Sequence, residues 1–439
     1  MLFIVLGAAA LIGAPRPVSL REALQLAAKQ GPDVAVARAQ ARVAEVGVSR
    51  AYGAWRPDVS ATGTFDHTSA PAEFDSGALI RQLSQVFNIP LPPGTQLPPP
   101  TTIVAANSWY GTAQIAQPLF SPQGLFLIKP AKDGAEAAAR GADEAREQVL
   151  LGVARAYLGL AGLEGLLAAA RDAEKVALKR EADARVQISA GTAVEIALLR
   201  AQTETAQARS TIATLDGQRE SLLALLGGLV GEPVAATSGA VDPDFGPGGD
   251  EAQSPWEATF QVHAAAAGVK AAQGMVRYDE FRWLPTLAGV VRGNYNSNGG
   301  FAGKNTSYDL ILTATIPLYD RGERYVARRE DEAKLAQAQA TLAAARARAR
   351  STWSGAKANL SAAQAVLAQA EAQAALAKRA QAQIEVAAKA GVATSLDLSD
   401  ADNKRFQADS AAASARAALD VRRAELAAAE GRLFKTVAD

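Results

Sequence analysis

Along the second half of the chain, apolar residues recur every seven positions. Leu335, Leu342 and Ala349 are followed, after one step of four, by Trp353, Leu360, Leu367 and Ala374. A seven-residue spacing marks a helix with a seam against a partner helix, and the added four is a stutter that locally unwinds a supercoil. Between Glu323 and Lys389 there is no proline and one glycine, Gly355, so nothing forces a break. The pattern predicts a helix of roughly 67 residues, about 100 Å long at 1.5 Å per residue. Alanine fills most of the other positions, which lets neighbouring helices approach on more than one side, as in the wall of a tube. Gly391 ends this rod, and a second helix is expected from about Ser395 to Phe434, opening with Asp397 and Asp400 at i, i+3.

Elsewhere the period changes to two. A helical tract ends at Trp55-Arg56-Pro57, after which Val59, Ala61, Gly63 and Phe65 alternate with polar neighbours; a similar tract ends at Trp283-Leu284-Pro285, followed by Leu287, Gly289, Val291, Gly293 and Tyr295. Partner strands carry Trp109, Gly111, Ala113 and Ile115 in one case and Tyr308, Leu310, Leu312, Ala314 and Ile316 in the other. Strands of about ten residues suffice to cross a membrane when tilted, and Phe65, Trp109, Tyr295 and Tyr308 near strand ends suit an interfacial girdle. An ordinary hairpin packed on a helix fits the strands equally well at this stage.

The second strands run into Gln117-Pro118-Leu119-Phe120 and Ile316-Pro317-Leu318-Tyr319, and each leads to a long helix. The first of these is expected from about Ala131 to Ile188, with a seam of Leu150, Val153, Tyr157, Leu160 and Leu167, and it ends at Ala190-Gly191-Thr192 as the second ends at Ala390-Gly391-Val392. Three landmarks recurring in order mean one unit written twice. The copies differ in the strand-to-strand loop: Thr68–Ala106 holds the proline-rich NIPLPPGTQLPPPTT, expected to contain no strand, whereas the second loop is the short NSNGGFAGKNT. The boundaries read as 1–14 a secretory leader, 15–229 the first repeat, 230–254 a Gly- and Pro-rich linker, and 255–439 the second repeat.

Composition removes most chemistry. The 439 residues carry Lys+Arg 45 against Asp+Glu 45, so no basic surface points to nucleic acid. Cys 0, His 2 and Met 2 leave no thiolate site and almost no imidazole, and His67 and His263 fall in different elements of different repeats. No nucleophile elbow or phosphate loop occurs, so neither an enzyme nor a cofactor or metal is expected. Four strands cannot close a barrel in lipid, so several chains must pool theirs.

The opening VSLREALQLAAKQGPDV, the two Trp-x-Pro strand entrances, IPLYDRG, LLALLGG and the paired Ala-Gly tips, in duplicated order, resemble the TolC-like outer membrane efflux proteins. The resemblance covers nearly the whole chain after the leader. It implies a mainly α fold with a small β part: a trimeric α-helical periplasmic tunnel continued by a 12-strand outer membrane β-barrel, four strands per chain. It further implies a homotrimer set in outer membrane lipid, meeting a periplasmic adaptor and an inner membrane pump, and passively conducting small molecules outward. By the same resemblance Asp397 and Asp400 form the pore constriction, where first-repeat positions hold Ala197 and Arg200, and the tips Ala190, Gly191, Thr192, Ala390, Gly391 and Val392 dock the adaptor. Their bland role is to cap and stabilise the following helix. Gating by movement of the second hairpin is implied too, with Arg379, Lys389 and Lys404 as nearby cations. The alternatives are a duct for type I protein secretion and, in a different class, a periplasmic coiled-coil scaffold.

Overall fold

The computed structural model describes residues 16–192, 194–237, 245, 253–299 and 303–433. The expected leader 1–14, most of the linker and Phe434 lie outside the described residues. In chain order the elements are β1 (Arg16–Val18), α1 (Leu20–Gln30), α2 (Pro32–Gly53), β2 (Asp58–His67), β3 (Ala72–Phe74), α3 (Ser76–Val86), β4 (Thr101–Val104), β5 (Asn107–Phe120) and α4 (Pro122–Ser189). There follow α5 (Glu195–Val230), β6 (Val234–Thr237), α6 (Phe260–Glu280), β7 (Thr286–Asn296), β8 (Thr306–Thr315), α7 (Glu323–Lys389) and α8 (Ser395–Ala429). They form two compact units, one of residues 1–45, 133–271 and 335–439, the other of 46–132 and 272–334.

The helical unit is built on the seam expected for α4. Leu150, Val153, Tyr157 and Leu160 are buried with Leu223, Leu226 and Val230 of α5, Ala424 and Ala427 of α8, and Ala23, Leu24 and Ala27 of α1. Each such leucine or valine removed from water contributes about 1.5–3 kcal/mol. Buried Tyr157 donates its hydroxyl to the Val18 carbonyl at 3.0 Å, tying α4 to β1. That strand pairs in parallel with β6, a union of segments more than two hundred residues apart that local periodicity does not reveal. Although a stretch of α4 is apolar enough to cross a membrane, half of it is buried here among these helices. A second cluster joins Trp353, Ala349 and Ala356 of α7 to Trp256, Leu426 and Ala429, and the Trp353 indole donates to buried Glu430 at 3.0 Å.

Helix α7 spans the residues its pattern predicted, and two other helices do not. Helix α8 stops at Ala429, short of Phe434, because Gly431 takes φ 63° while the amides of Gly431 and Arg432 close on the carbonyls of Ala428 and Ala427, each at 2.9 Å. Glycine in the left-handed region ends a helix this way. Helix α4 begins at Pro122, not Ala131, and continues through Pro130. The missing Pro130 donor is tolerated because its ring packs on Gly274 of α6, where any Cβ would fall 2.8 Å from Pro130 Cγ.

In the other unit one sheet runs β2-β5-β7-β8, antiparallel throughout. The register sets Val59 opposite Ile115, Ile115 opposite Val291 and Val291 opposite Leu310, so the four expected apolar rows share one face. Ser60, Thr62, Gln114, Arg292, Asn294 and Asp309 share the other. Among the described residues no helix covers the apolar face: Leu310 is 72% and Tyr308 77% exposed. That rules out the hairpin packed on a helix, which would bury this face. The first loop is not structureless, for β3 and β4 pair and α3 lies between them; β4 takes in Thr101 and Thr102 from the end of the proline-rich segment.

Helices α4 and α8 meet where Gly162 faces Ala417, and a Cβ on Gly162 would collide with that of Ala417. Gly162→Ala should therefore destabilise the protein by about 1–3 kcal/mol, seen as a lower melting temperature in detergent. Gly152→Ala, whose Cβ would meet Leu229 at an ordinary 3.6 Å, should leave it unchanged or slightly higher.

Candidate functional site

The two helix hairpins end in the same turn. In the first, Gly191 has φ 72°, its amide reaches the Ile188 carbonyl at 3.0 Å, and the Thr192 amide reaches Gln187 at 2.9 Å. In the second, Gly391 has φ 75°, bonding Ala388 at 3.0 Å, and Val392 bonds Ala387 at 2.9 Å. This pair of bonds is the Schellman termination, and open space surrounds both glycines, so it is the backbone angle that requires them. Ala190 and Ala390 close the preceding turns on Val186 and Val386. Around the tips Val186, Val194, Ile196, Leu199, Val386, Val392 and Leu396 all lie exposed, Val392 at 82%.

The chains leaving the two tips differ. Helix α5 starts from Val194 with no side-chain cap, whereas Thr394 caps α8: its hydroxyl accepts from the Asp397 amide at 3.2 Å, and Asp397 Oδ2 accepts from the Thr394 amide at 2.8 Å and hydroxyl at 2.6 Å. These bonds, the hydroxyl's first, hold the Asp397 carboxyl below its ordinary range. Asp400 is exposed one turn on and pairs with Lys404 at 2.7 Å within the same helix. Both acids thus perform the local capping and pairing duties, and Lys404 is engaged inside α8.

Between the hairpins lies a cleft of about 600 Å³ lined by residues of both, Arg180, Leu199, Glu204, Leu396 and Ser399 among them. Contacts near it cross from one repeat to the other. Arg180 of α4 bonds Asp402 of α8 at 3.0 Å and Glu385 of α7 at 3.4 Å; Gln381 of α7 donates to the other Asp402 oxygen at 2.6 Å and accepts from Arg405 at 2.8 Å. Ser399 donates to Glu204 of α5. The Asp402 side chain is 14% exposed, and each of its oxygens accepts from one of these donors. Sequence reasoning singled out the exposed acids and missed this half-buried one. Its signal was the row Asp402, Arg405, Asp409 at i, i+3, i+7, alternating in sign on one face of α8.

The sheet carries the other expected residues. Phe65 stands opposite Trp109 with ring centroids 4.8 Å apart, and Tyr295 and Tyr308 follow on the same apolar face. All lie within about two residues of the strand ends that bear the β2–β5 and β7–β8 loops. His67 bonds Asn107 at 2.7 Å while His263 lies on α6, and no grouping able to hold a metal occurs among the described residues.

A family model for "outer membrane efflux protein" matches residues 23–232 and 257–432. The chain belongs to that family. Comparison with curated proteins finds no match. Among solved structures, the CmeC outer membrane channel of Campylobacter jejuni superposes with a TM-score of 0.75 at 14% identity, over 95% of this chain and 88% of that one. The outer membrane protein VceC of Vibrio cholerae gives 0.71 at 16%, over 94% and 96%, and a membrane protein from Pseudomonas aeruginosa 0.75 at 18%, over 94% and 90%. At such identities the likeness shows the fold, and the family match gives it meaning: this efflux protein is an outer membrane channel protein of TolC-like fold, reaching into the periplasm, and not an enzyme.

The capping geometry fixes a pH dependence. A lowered carboxyl pKa contributes stability that is present above the ordinary Asp value, about 3.9, and is lost as pH falls through the lowered one. Thr394→Val removes the hydroxyl donor, so the Asp397 carbon resonance of Asp-labelled protein should titrate at higher pH than in wild type.

Proposed function

We propose that three copies of this chain join through their sheets into one twelve-stranded barrel, and that the duct so formed passively passes small molecules outward from an inner membrane pump and a periplasmic adaptor. The observation that carries this reading is the sheet itself: four strands, one apolar face exposed, one polar face, and β2 and β8 as edges with no partner strand among the described residues. Lipid tolerates neither a bare edge nor a polar face, so closure of several copies with the polar face inward meets both demands. Phe65, Trp109, Tyr295 and Tyr308 are the outer aromatic girdle. The repeats 15–229 and 255–439, joined by 230–254, supply the staves of the tunnel, and 1–14 is the leader that exports the chain.

The adaptor docks at the tips, Ala190-Gly191-Thr192 and Ala390-Gly391-Val392, where exposed apolar side chains cluster. Asp397 and Asp400 from three copies ring the periplasmic mouth. Because Lys404 offsets Asp400, Asp397 contributes more of the field. In planar bilayers under a salt gradient, Asp397→Asn should move the reversal potential toward that of a nonselective pore, and further than Asp400→Asn does; unchanged selectivity in the double variant refutes the ring.

The Arg180, Asp402, Gln381 and Glu385 contacts latch the second hairpin to the first and hold the mouth narrow. Losing a partner of a partly buried charge shifts such an equilibrium by on the order of 1–3 kcal/mol. Arg180→Ser should raise mean conductance about twofold or more, and an unaltered current trace shows the latch to be purely structural.

A further inference from the structure

Helix α3 has no evident task in the duct described above. Asp75 caps it, accepting from the Ala78 amide at 2.7 Å, and it ends at Phe87, so it is a formed helix within the first strand-to-strand loop. Leu79, Ile80, Leu83, Val86 and Phe87 recur at i, i+1, i+4, i+7 and i+8, which places them on one stripe, and all are exposed. Gln82, Ser84 and Gln85 lie on the other side, and Gly77 packs against Leu97 and Pro98. An apolar helical stripe in water is unfavourable and marks a surface that something covers.

The charge pattern selects the occupant. Helices that lie on membrane surfaces carry several Lys or Arg on the polar side. Here Arg81 is the one base of α3, it already pairs with Asp75 at 3.5 Å, and no charged residue occurs from Gln82 to Ser108. A neutral stripe suits an equally neutral partner, and a second copy of the same stripe is one. The loop also leaves directly from edge strand β2, with its base closed by the Thr68 amide on the Ala106 carbonyl at 2.9 Å, so it continues the edge that a neighbouring copy must cover.

We propose that the apolar stripes of three α3 helices pack on one another about the threefold axis at the outer mouth of the duct. The inference rests on the trimeric reading. The reach is sufficient: eleven residues of α3 span about 16 Å, and twelve strands about 4.8 Å apart and tilted about 40° enclose a radius of roughly 12 Å. Residues 297–305 of the second loop are too few to do the same. The stripe is then a contact between copies, and the helices narrow the outer mouth.

Because the chain contains Cys 0, Leu83→Cys places a single thiol in each copy. Copper-phenanthroline oxidation of outer membranes bearing this variant should join two copies by a disulfide at position 83 in most trimers, whereas Gln85→Cys, on the opposite side of α3, should give several-fold less dimer. The disulfide of the Leu83→Cys variant should also lower single-channel conductance, with recovery on reduction. Amine cross-linking of the detergent-extracted protein reports the trimer independently. A trimer in which Leu83→Cys yields no disulfide-linked dimer, or yields no more than Gln85→Cys, overturns the stripe contact and spares the trimer; absence of the trimer overturns both. A bimane label on the thiol of Leu83→Cys that is quenched by nitroxide lipids instead places the stripe against lipid and overturns the proposal, and an unchanged conductance overturns the narrowing.

Discussion

An unpaired strand edge cannot lie in hydrocarbon, because each open amide and carbonyl there costs several kcal/mol. This constraint governs the chain. The sheet has four strands, too few to close, and both faces are already committed, one apolar and exposed, the other rich in hydroxyls, amides and charge. In the reading proposed here, assembly of several copies resolves it. The long helices are alanine-rich, and small side chains allow neighbours to approach within contact distance, as Gly162 and Ala417 do inside one chain.

Duplication gives the two hairpins identical turns, yet the sequence after each turn diverges where charge matters. The Schellman bonds at Gly191 and Gly391 match within about 0.1 Å, so backbone physics preserved the turn in both repeats. Beyond it, Thr394 and Asp397 form a capping box where the first repeat has Val194 and Ala197, and Asp400 stands where the first has Arg200. One scaffold therefore presents two aspartates after the second tip, Asp397 and Asp400, where the first has a single glutamate, Glu195, followed by Arg200. The half-buried Asp402 that Arg180 holds ties them together across 222 residues of chain.

What could be read from the residues followed periodicity. The seven-residue seam of α7, ended by the stop at Gly391, gave its limits, and alternation gave all four sheet strands with their apolar rows in register. Readings failed where a local rule met a distant partner. Pro130 lacks the amide a helix interior needs, but Gly274 makes room for its ring and α4 runs on. Gly431, with its positive φ, ends α8 before Phe434. The pairing of β1 with β6 and of Arg180 with Asp402 joins segments no window spans, and α3 is a short helix in a loop whose prolines dominate the pattern. At the candidate site the acids Asp397 and Asp400 were legible as charges on a helix start; the bonds that occupy them were not.

The mass of the detergent-extracted particle, by light scattering with the detergent contribution removed, tests the central claim most directly. The account predicts about three times the 45.5 kDa chain, less any processed leader, in a particle that precipitates when detergent is withdrawn. A monomer or dimer, or a particle soluble without detergent, contradicts it.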